Sequence, residues 1–289
     1  MKPRLARTGF KYAAALAVLL TILLPWHADA QYGRGWRRMR TNPEEVRENE
    51  LMEKAINPAF KDDVFTFARL RFNAERGWGY GGGRLWDDDS PEADLNVIFR
   101  LYETTSMKVR PGVNYIDITT NDLRNYPFVY VAAAGRLVLD DDQAAILRQY
   151  MLTGGFLMVD DFWGDDQWQH FYEQFKRIFP KREPVELTLD HPIFHTVYKF
   201  KKKPQIPSVG AYLQYGVSYD PGWPYEKDHD PHYYAVYDDK QHMMMLICHN
   251  NHYGDGWEHE GDDHSYFDTF SQPMAYPMLF NILVYAMSH

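Results

Sequence analysis

Cysteine is the scarcest residue of this 289-residue chain, which contains only Cys248. An internal disulfide is therefore excluded, and a chain of this length is long enough to fold on its hydrophobic core alone. Motifs of common enzymes are lacking as well. The sequence has no GxSxG elbow for a serine nucleophile, no GxxxxGK[ST] phosphate loop and no dinucleotide-type glycine spacing. It gives no support for serine hydrolase chemistry or for a nucleotide site of either kind.

An apolar segment long enough to span a bilayer is also lacking at the N-terminus. Residues 13–24 form a mostly apolar run, which is shorter than the ~17–25 residues that a spanning helix needs. Four basic residues precede this run, and Ala28-Asp29-Ala30 follows it. This arrangement is typical of a Sec-type signal peptide cleaved before Gln31. We therefore expect residues 1–30 to be removed and the protein to be periplasmic or secreted, with no transmembrane helix after cleavage. The alternative is an uncleaved N-terminal anchor.

Positive charge is in deficit. The whole chain carries a net charge of −9, and the predicted leader contains four of its 31 basic residues but one of its 40 acidic ones. The remainder is thus more acidic, at −12. General nucleic-acid binding is disfavoured at such a charge. The partners that we expect instead are an envelope protein or a carbohydrate, because aromatic side chains stand among polar neighbours in several segments.

The remaining pattern predicts an α/β fold. Residues 31–59 are expected to form a basic lead-in with a helix, and residues 60–289 a single domain. Buried strands alternate with helices, which indicates a three-layer, mostly parallel sheet with helices on both faces and an antiparallel hairpin at one edge. Asp140 and Gln143 form a capping box at one helix start. The strands are expected at residues 64–72, 107–110, 128–133 and 156–159, with the hairpin at 233–237 and 243–248.

Asp160 and Asp161 follow the strand predicted at residues 156–159 and are the first candidate site. Ligands bind past the carboxyl ends of strands in open α/β sheets, so we expect one of these carboxylates to face a crevice. Strand alternation predicts that the other faces the opposite way and caps the next helix. General acid/base catalysis and metal binding are both open, as is a purely structural role.

His191 and His195 are a second candidate, because the spacing i, i+4 suits a metal on a helix. Pro192 disfavours a regular helical turn beginning at His191. A structural turn anchored by Ile193 and Phe194 is therefore the preferred interpretation, with His191 kept as a catalytic candidate.

Residues 249–264 hold four histidines, five acids and three glycines and are predicted to form a loop. His249, His252, Asp255 and Glu258 are candidate ligands for a divalent metal, although their spacing matches no strict zinc motif. Another interpretation is a ligand-binding loop, and a third is a solvated loop without a specific role. The residues predicted to contact such a ligand are Arg69, Trp163, Asn250 and Trp257.

Several segments together resemble a bacterial family known as domain of unknown function 4159. They read Phe-Thr-Phe-Ala-Arg-Leu at residues 65–70, Pro-Glu-Ala-Asp-Leu-Asn at 91–96, Tyr-Pro-Phe-Val-Tyr at 126–130, Gly-Gly-Phe-Leu at 154–157 with Asp-Asp-Phe at 160–162, and His-Pro-Ile-Phe-His at 191–195. The resemblance covers residues 60–289. The family is similar in outline to the class I glutamine amidotransferase-like fold, which the resemblance therefore implies.

The same resemblance argues against glutaminase chemistry. Glutaminases place a cysteine on the turn after the corresponding strand, where this chain has Asp160, Asp161 and Phe162. Besides a purely structural role in an envelope complex, two functions remain. The first and preferred one is a non-catalytic envelope module that binds a ligand or protein, and it predicts a broad exposed aromatic patch. The second is a metal-assisted hydrolase of carbohydrate or peptide, and it predicts that the candidate carboxylates and histidines meet in one site with shifted pKa values.

Overall fold

The fold was analysed in a computed structural model that describes residues 43–56, 58–60, 63–74, 85–118, 121–221 and 228–289. The chain divides into two units, Met1–Pro43 and Glu44–His289, and the second unit is the α/β domain. The predicted leader and the glycine-rich segment at residues 75–84 lie outside the described residues. Within the described part of the chain, no helix has both the length and the hydrophobicity needed to cross a membrane.

The centre of the domain is a seven-stranded sheet in the order β3-β1-β4-β6-β9-β8-β7. Five neighbouring strands, from β3 to β9, run parallel, whereas β8 and β7 are antiparallel additions at one edge. A separate two-stranded antiparallel sheet pairs β2 with β5. The strands are β1 (Ala68–Arg71), β2 (Asn73–Ala74), β3 (Asn114–Asp117), β4 (Phe128–Val131), β5 (Leu137–Val138), β6 (Phe156–Val159), β7 (Val185–Glu186), β8 (His232–Tyr237) and β9 (Met243–His249).

Helices follow most of the strands. The α-helices are α1 (Pro43–Ala55), α2 (Glu92–Thr104), α3 (Asp141–Leu152), α4 (Gly164–Ile178), α5 (Val209–Tyr215), α6 (Tyr253–Glu258), α7 (His264–Tyr266) and α8 (Tyr276–Ser288). A π-helical segment, Phe267–Ala275, joins the last two. Short 3-10 turns lie at Pro58–Phe60, Leu85–Asp87, Asn121–Asn125, Ala134–Arg136 and Pro192–Phe194.

Local sequence explains the unit that leads into the central strand β6. Asp140 accepts a hydrogen bond from the backbone N–H of Gln143, whose side chain in turn accepts one from the backbone N–H of Asp140, so the predicted capping box begins α3. Gly154 ends that helix region with a φ of 103°, a conformation that glycine adopts without strain. A side chain at Gly155 would collide with the ring of Tyr150. The Gly-Gly pair therefore lets the chain turn tightly from α3 into β6.

Two hydrophobic cores cover the two faces of the sheet, which makes the domain three-layered. One core contains Phe67, Tyr130 and Met158 with residues of α2, α6 and α8. The other contains Leu70 and Val159 with residues of α3 and α4. The four residues of β4 and the four of β6 are all buried, as expected for parallel strands covered on both sides.

The structure confirms the predicted fold class, the strand at residues 156–159 and the antiparallel hairpin. Other expectations were wrong. The strand predicted at residues 107–110 is a single bridge at Val109, and the edge strand is β3 instead. The supposed loop at residues 249–264 contains α6, which is largely buried.

The order of the strands in the sheet indicates where a ligand site lies. After β1 the chain crosses to β3 on one side, and it then returns to build β4, β6 and β9 on the other side. The strand order therefore reverses at the β1–β4 boundary, and ligands of open α/β sheets bind outside the carboxyl ends of the strands at such a point.

Candidate functional site

Polar side chains from three connections meet at the carboxyl edge of the parallel strands. Asp89 comes from the segment between β1 and α2, Asp160 and Asp161 directly follow β6, and His252 and Asp255 follow β9. The sequence separates Asp89 from His252 by 163 positions, yet the two side chains are hydrogen-bonded. We call Asp89, Asp161, His252 and Asp255 the carboxylate–imidazole centre.

His252 is the middle of this centre. Its Nε2 lies 3.1 Å from Asp89 Oδ2, and its Nδ1 lies 3.5 Å from Asp161 Oδ1 and 3.8 Å from Asp255 Oδ2. The residue is only 8% exposed. Nδ1 has no hydrogen-bond partner within the described part of the chain. One imidazole is thus surrounded by three carboxylates, and one of its nitrogens is left unused.

The backbone at Asp161 is in an unusual conformation. Its φ is 56°, in the left-handed region, and Asp89 has a φ of 61°. Aspartate tolerates this region better than most residues, but the conformation still has an energetic cost. It turns the Asp161 side chain beneath His252, where it retains 12% exposure, the highest value in the centre. Neither Asp160 nor Asp161 caps α4, which begins without a side-chain cap, so that expectation was wrong.

Asp160 is fully buried beside the centre. Its Oδ2 accepts hydrogen bonds from the Tyr130 hydroxyl (2.9 Å) and from the backbone N–H groups of Tyr253 (2.7 Å) and Gly254 (3.3 Å). Its Oδ1 has no partner among the described residues. Asp160 therefore fixes the start of α6 against the end of β6, which places His252 opposite Asp161.

Arg69 holds the segment that carries Asp89. The guanidinium is fully buried and forms a two-pronged contact with Asp94, with Nη2 at 2.6 Å from Oδ2 and Nε at 3.1 Å from Oδ1. Its Nη1 donates to the backbone carbonyls of Asp88 (2.7 Å) and Trp86 (3.3 Å). The same group lies over the ring of Tyr130, at 5.0 Å. Arg69 was predicted to contact a ligand, and that prediction stays untested.

Helix α6 requires glycine where it meets Asp89. A Cβ atom at Gly254 would collide with Asp89 Oδ2. The missing side chain lets this carboxylate reach the first turn of the helix. One residue further on, Asp255 Oδ2 accepts a hydrogen bond from the backbone N–H of Val209 (2.6 Å), which orients that carboxylate toward His252. The glycine and the aspartate together make the short helix a rigid wall of the site.

Burial and mutual charge shift the pKa values of these groups. Burial acts to lower the pKa of His252, but the charges of Asp161, Asp89 and Asp255 outweigh it and raise this pKa well above its usual value. Burial raises the pKa of Asp160 to about 7, against the opposing charge of His252. Burial also raises the pKa of Asp161, and the nearby acids add to this rise. Asp255 differs, because the charge of His252 outweighs burial and lowers its pKa.

A second polar cluster adjoins the first at the end of α6. His259 Nε2 lies 3.4 Å from Asp255 Oδ1 and 3.3 Å from Glu258 Oε2, and its Nδ1 lies 3.0 Å from Asp262 Oδ2. Burial opposes protonation here, but the hydrogen bonds to Asp255 and Glu258 raise the pKa of His259 to about 11. Both ring nitrogens have carboxylate partners, as an imidazolium in an ion pair does.

Several residues predicted from the sequence lie together. Asp160, Asp161, His252 and Asp255 meet in one place, and Glu258 belongs to the adjoining cluster. His191 does not. It accepts a hydrogen bond from the backbone N–H of Ile193 and contacts Tyr237, which lies at the amino edge of the parallel strands. Its 3-10 turn, with Ile193 and Phe194 fully buried, fits the structural interpretation.

The other predicted residues are packed into the body of the domain. His249 lies between Phe162 and Trp168 and is hydrogen-bonded through Nε2 to the Gly164 carbonyl (3.1 Å). Asn250 bridges the Gly164 N–H and the Asp230 carbonyl. The aromatic candidates are buried, with Trp163 at 7% exposure and Trp257 at 0%. These placements do not test ligand binding, which stays a prediction for each of them.

Sequence reasoning missed Asp89 as a site residue. Its partner His252 is 163 positions away in the sequence. One signal was available, since Asp89 directly precedes the Ser90-Pro91 start of a helix after β1. In a parallel sheet such a connection lies at the carboxyl edge. The acids of that connection were therefore candidates alongside those that follow β6.

Comparison with protein families agrees with this organisation. The family described as "Domain of unknown function (DUF4159)" matches residues 66–287. The chain belongs to this family. The matched region contains all the parallel strands and every member of the carboxylate–imidazole centre. No curated protein matches the chain at a significant level.

Proposed function

We propose that this DUF4159 protein is a hydrolase, and that its reaction takes place at the carboxylate–imidazole centre. The observation that carries the proposal is the convergence of Asp89, Asp161 and Asp255 on a single buried histidine at the carboxyl edge of the sheet. The two functions predicted from the sequence differ in this respect. An enzyme requires catalytic groups to meet, and Asp161, His252 and Asp255 do meet, whereas His191 and His249 lie elsewhere.

The aromatic residues support the same choice. A binding module was expected to present a broad exposed aromatic patch. Trp257 and Tyr253, from one of the segments that suggested such a patch, are both fully buried, and residues 78–80, from another, lie outside the described residues. Within the described residues, the exposed aromatic side chains are three tyrosines on three separate segments, namely Tyr115, Tyr198 and Tyr215.

The geometry assigns a role to each member of the centre. Asp161 directly follows β6 and has the highest side-chain exposure in the centre, 12%, so we assign it the proton transfer with water or the leaving group. His252 holds Asp161 in place and adjusts its proton affinity. Asp89 and Asp255 orient His252 from two sides, as carboxylates commonly do for catalytic and metal-binding imidazoles. Carbohydrate and peptide are the substrate classes proposed.

The test is hydrolysis of dye-labelled polysaccharides and fluorogenic peptides by the protein purified without a histidine tag. We expect Asp161→Asn and His252→Gln to lower kcat/KM at least ~100-fold, the usual scale for acid–base residues. Matched controls are Asp165→Asn, an exposed acid in the first turn of α4, and His242→Gln on the hairpin, and both should retain activity. An unchanged rate in Asp161→Asn would remove the proposal. Absence of turnover on every substrate would favour the non-catalytic binding module.

Export is a second part of the proposal. It rests on the basic, apolar and Ala-Asp-Ala pattern of residues 1–30. Fractionation of expressing cells should place the protein in the periplasm or medium, with Gln31 as its first residue. Recovery of the uncleaved chain in the membrane fraction would instead identify residues 1–30 as an anchor.

A further inference from the structure

The carboxylate–imidazole centre contains more negative than positive charge. Asp89, Asp161 and Asp255 surround His252, with side-chain exposures of 3%, 12% and 9%. A single imidazole balances at most one of the three carboxylates. Two other cations lie close by: Arg69 is engaged by Asp94, and His259, 3.4 Å from Asp255 Oδ1, is shared with Glu258 and Asp262. Buried charges of one sign are retained in proteins when something compensates them.

Two polar atoms at this place lack partners. His252 Nδ1 and Asp160 Oδ1 are buried without a hydrogen bond within the described residues, and their residues are 8% and 0% exposed. Buried polar atoms are nearly always satisfied, so such atoms call for a bound group. His252 Nδ1 lies between Asp161 Oδ1 at 3.5 Å and Asp255 Oδ2 at 3.8 Å. The Nδ1–Asp255 separation is long for a hydrogen bond but suits two ligands of one ion, since metal–ligand bonds are about 2.0–2.2 Å, and Asp161 lies beside them.

We propose that Asp89, His252 and Asp255 bind one divalent transition-metal ion beside Asp161. Each of the three offers a ligand atom, and these atoms lie within 4.8 Å of one another. The set of one imidazole and two carboxylates suits zinc, manganese or iron(II), whereas magnesium and calcium prefer oxygen ligands alone. This inference rests on the proposed function and deepens it, because the ion would polarise a substrate carbonyl or activate water next to Asp161.

The adjoining cluster of Asp255, Glu258 and His259 also brings ligand atoms within 4.8 Å of one another. It lacks the unpaired atoms that distinguish the first cluster. Both nitrogens of His259 have carboxylate partners, and Glu258 is 28% exposed. The second cluster is therefore a set of ion pairs in which neither imidazole nitrogen calls for a further ligand. His259 contacts Asp255 Oδ1, the oxygen other than the one near His252.

The experiment is metal binding by the full-length protein, stripped with a chelator and titrated separately with Mn²⁺, Zn²⁺, Mg²⁺ and Ca²⁺. Calorimetry gives the stoichiometry, and the shift in Tm gives an independent readout. We expect one equivalent of Mn²⁺ or Zn²⁺ to bind more tightly than Mg²⁺ or Ca²⁺. His252→Gln and Asp255→Asn should weaken that binding by about 10–100-fold or more. Asp255→Asn is informative even if His252→Gln folds poorly, because its amide oxygen can still accept from Val209 N–H.

Glu258→Gln is the matched control, since it removes one carboxylate from the adjoining cluster and leaves the proposed ligands intact. It should bind metal as the natural chain does. The proposal is overturned if the stripped protein binds no ion stoichiometrically, or if Glu258→Gln abolishes binding while His252→Gln retains it. Metal binding without hydrolysis would leave this site standing and remove the proposed function. Hydrolysis that survives chelation would do the reverse.

Discussion

The domain contains two buried clusters of charge that differ in how completely they are satisfied. In the Arg69–Asp94 pair, both side chains are fully buried, and the remaining donors of Arg69 reach the carbonyls of Trp86 and Asp88. In the carboxylate–imidazole centre, three acids share one histidine, and Nδ1 of that histidine has no hydrogen bond among the described residues. The first cluster is complete without a ligand. The second is incomplete, and it lies at the edge of the sheet where ligands bind.

The comparison teaches that burial of charge alone does not identify a functional site. Arg69 is predicted from the sequence to contact a ligand, and that prediction stays untested. Its neighbours show a structural task, which is to hold the Asp89 segment in place. The better indicator of function is a buried polar atom that the fold leaves without a partner.

Removal of Arg69 should have the largest effect on stability. Arg69→Met leaves Asp94 as an uncompensated buried charge, so we expect the free energy of unfolding to fall by about 3–5 kcal/mol. Urea denaturation measures this change. The double variant Arg69→Met/Asp94→Leu should recover much of the loss, because two apolar side chains need no charge compensation. A double variant no more stable than Arg69→Met would contradict the view that the pair is a self-sufficient structural unit.

His249 provides a buried imidazole without the carboxylates that surround His252. Burial lowers the pKa of His249 to about 4, whereas the unfolded value is about 6.5. The folded state therefore binds a proton at His249 less readily than the unfolded state does. The stability that the neutral imidazole contributes is present above pH ~6.5 and is lost as the pH falls toward ~4. We expect a loss of about 3 kcal/mol across that interval.

The check is urea denaturation of the natural chain and of His249→Gln at several pH values across that interval. The glutamine amide can still donate to the Gly164 carbonyl, which His249 Nε2 now contacts, and it does not titrate. The difference in stability between the two proteins should therefore narrow at low pH. A difference that is independent of pH would show that His249 does not titrate in this way.

Asp161→Gly should act on stability and on activity in opposite directions. Glycine adopts a φ of 56° without strain and removes one carboxylate from a crowded centre. We expect the free energy of unfolding to rise by about 1 kcal/mol, measured in urea, with loss of hydrolysis. Asn250→Gly is the control at the same φ, and it should be destabilising because Asn250 bonds Gly164 and Asp230. Lower stability in Asp161→Gly would show that this residue is structural.

The smallest expected change in stability follows from removing an exposed ion pair. Arg177 lies 2.7 Å from Asp141, with side-chain exposures of 39% and 96%. Solvent screens such a pair, so Arg177→Met should leave the urea midpoint unchanged within error. A clear loss of stability would indicate that the charge of Arg177 contributes despite its exposure, because methionine retains most of the aliphatic packing.

Much of the fold could be predicted from the sequence because its signals are local. The capping box at Asp140, the Gly-Gly turn and the apolar run of β6 are each contained within a few neighbouring residues. Edge strand β3 was missed because only Ile116 of its four residues is buried, which leaves little hydrophobic pattern to detect. Helix α6 was missed because its two glycines and its acidic and histidine-rich surroundings are typical of loops. Only tertiary packing reveals that this helix is an internal element.

Part of the site could also be predicted, because some of its residues follow a local sequence signal. Asp160 and Asp161 follow an unmistakable buried strand, so their place at the sheet edge could be inferred. The pairing of His252 with Asp89 depends on the order of strands in the sheet, and no short stretch of sequence contains that information. The unpaired nitrogen of His252 is a property of three-dimensional packing and has no counterpart in composition or spacing.

The reaction of Cys248 with a thiol reagent measures the opening of the central sheet. The thiol lies on β9, is fully buried, and has its pKa raised well above the usual value by burial. A thiol reagent can label it only during the moments when β9 separates from its neighbours, so the labelling rate reports how often that happens. Because the chain continues from this strand to His252, a ligand that steadies the centre should slow the reaction of a sulfur atom that it never touches.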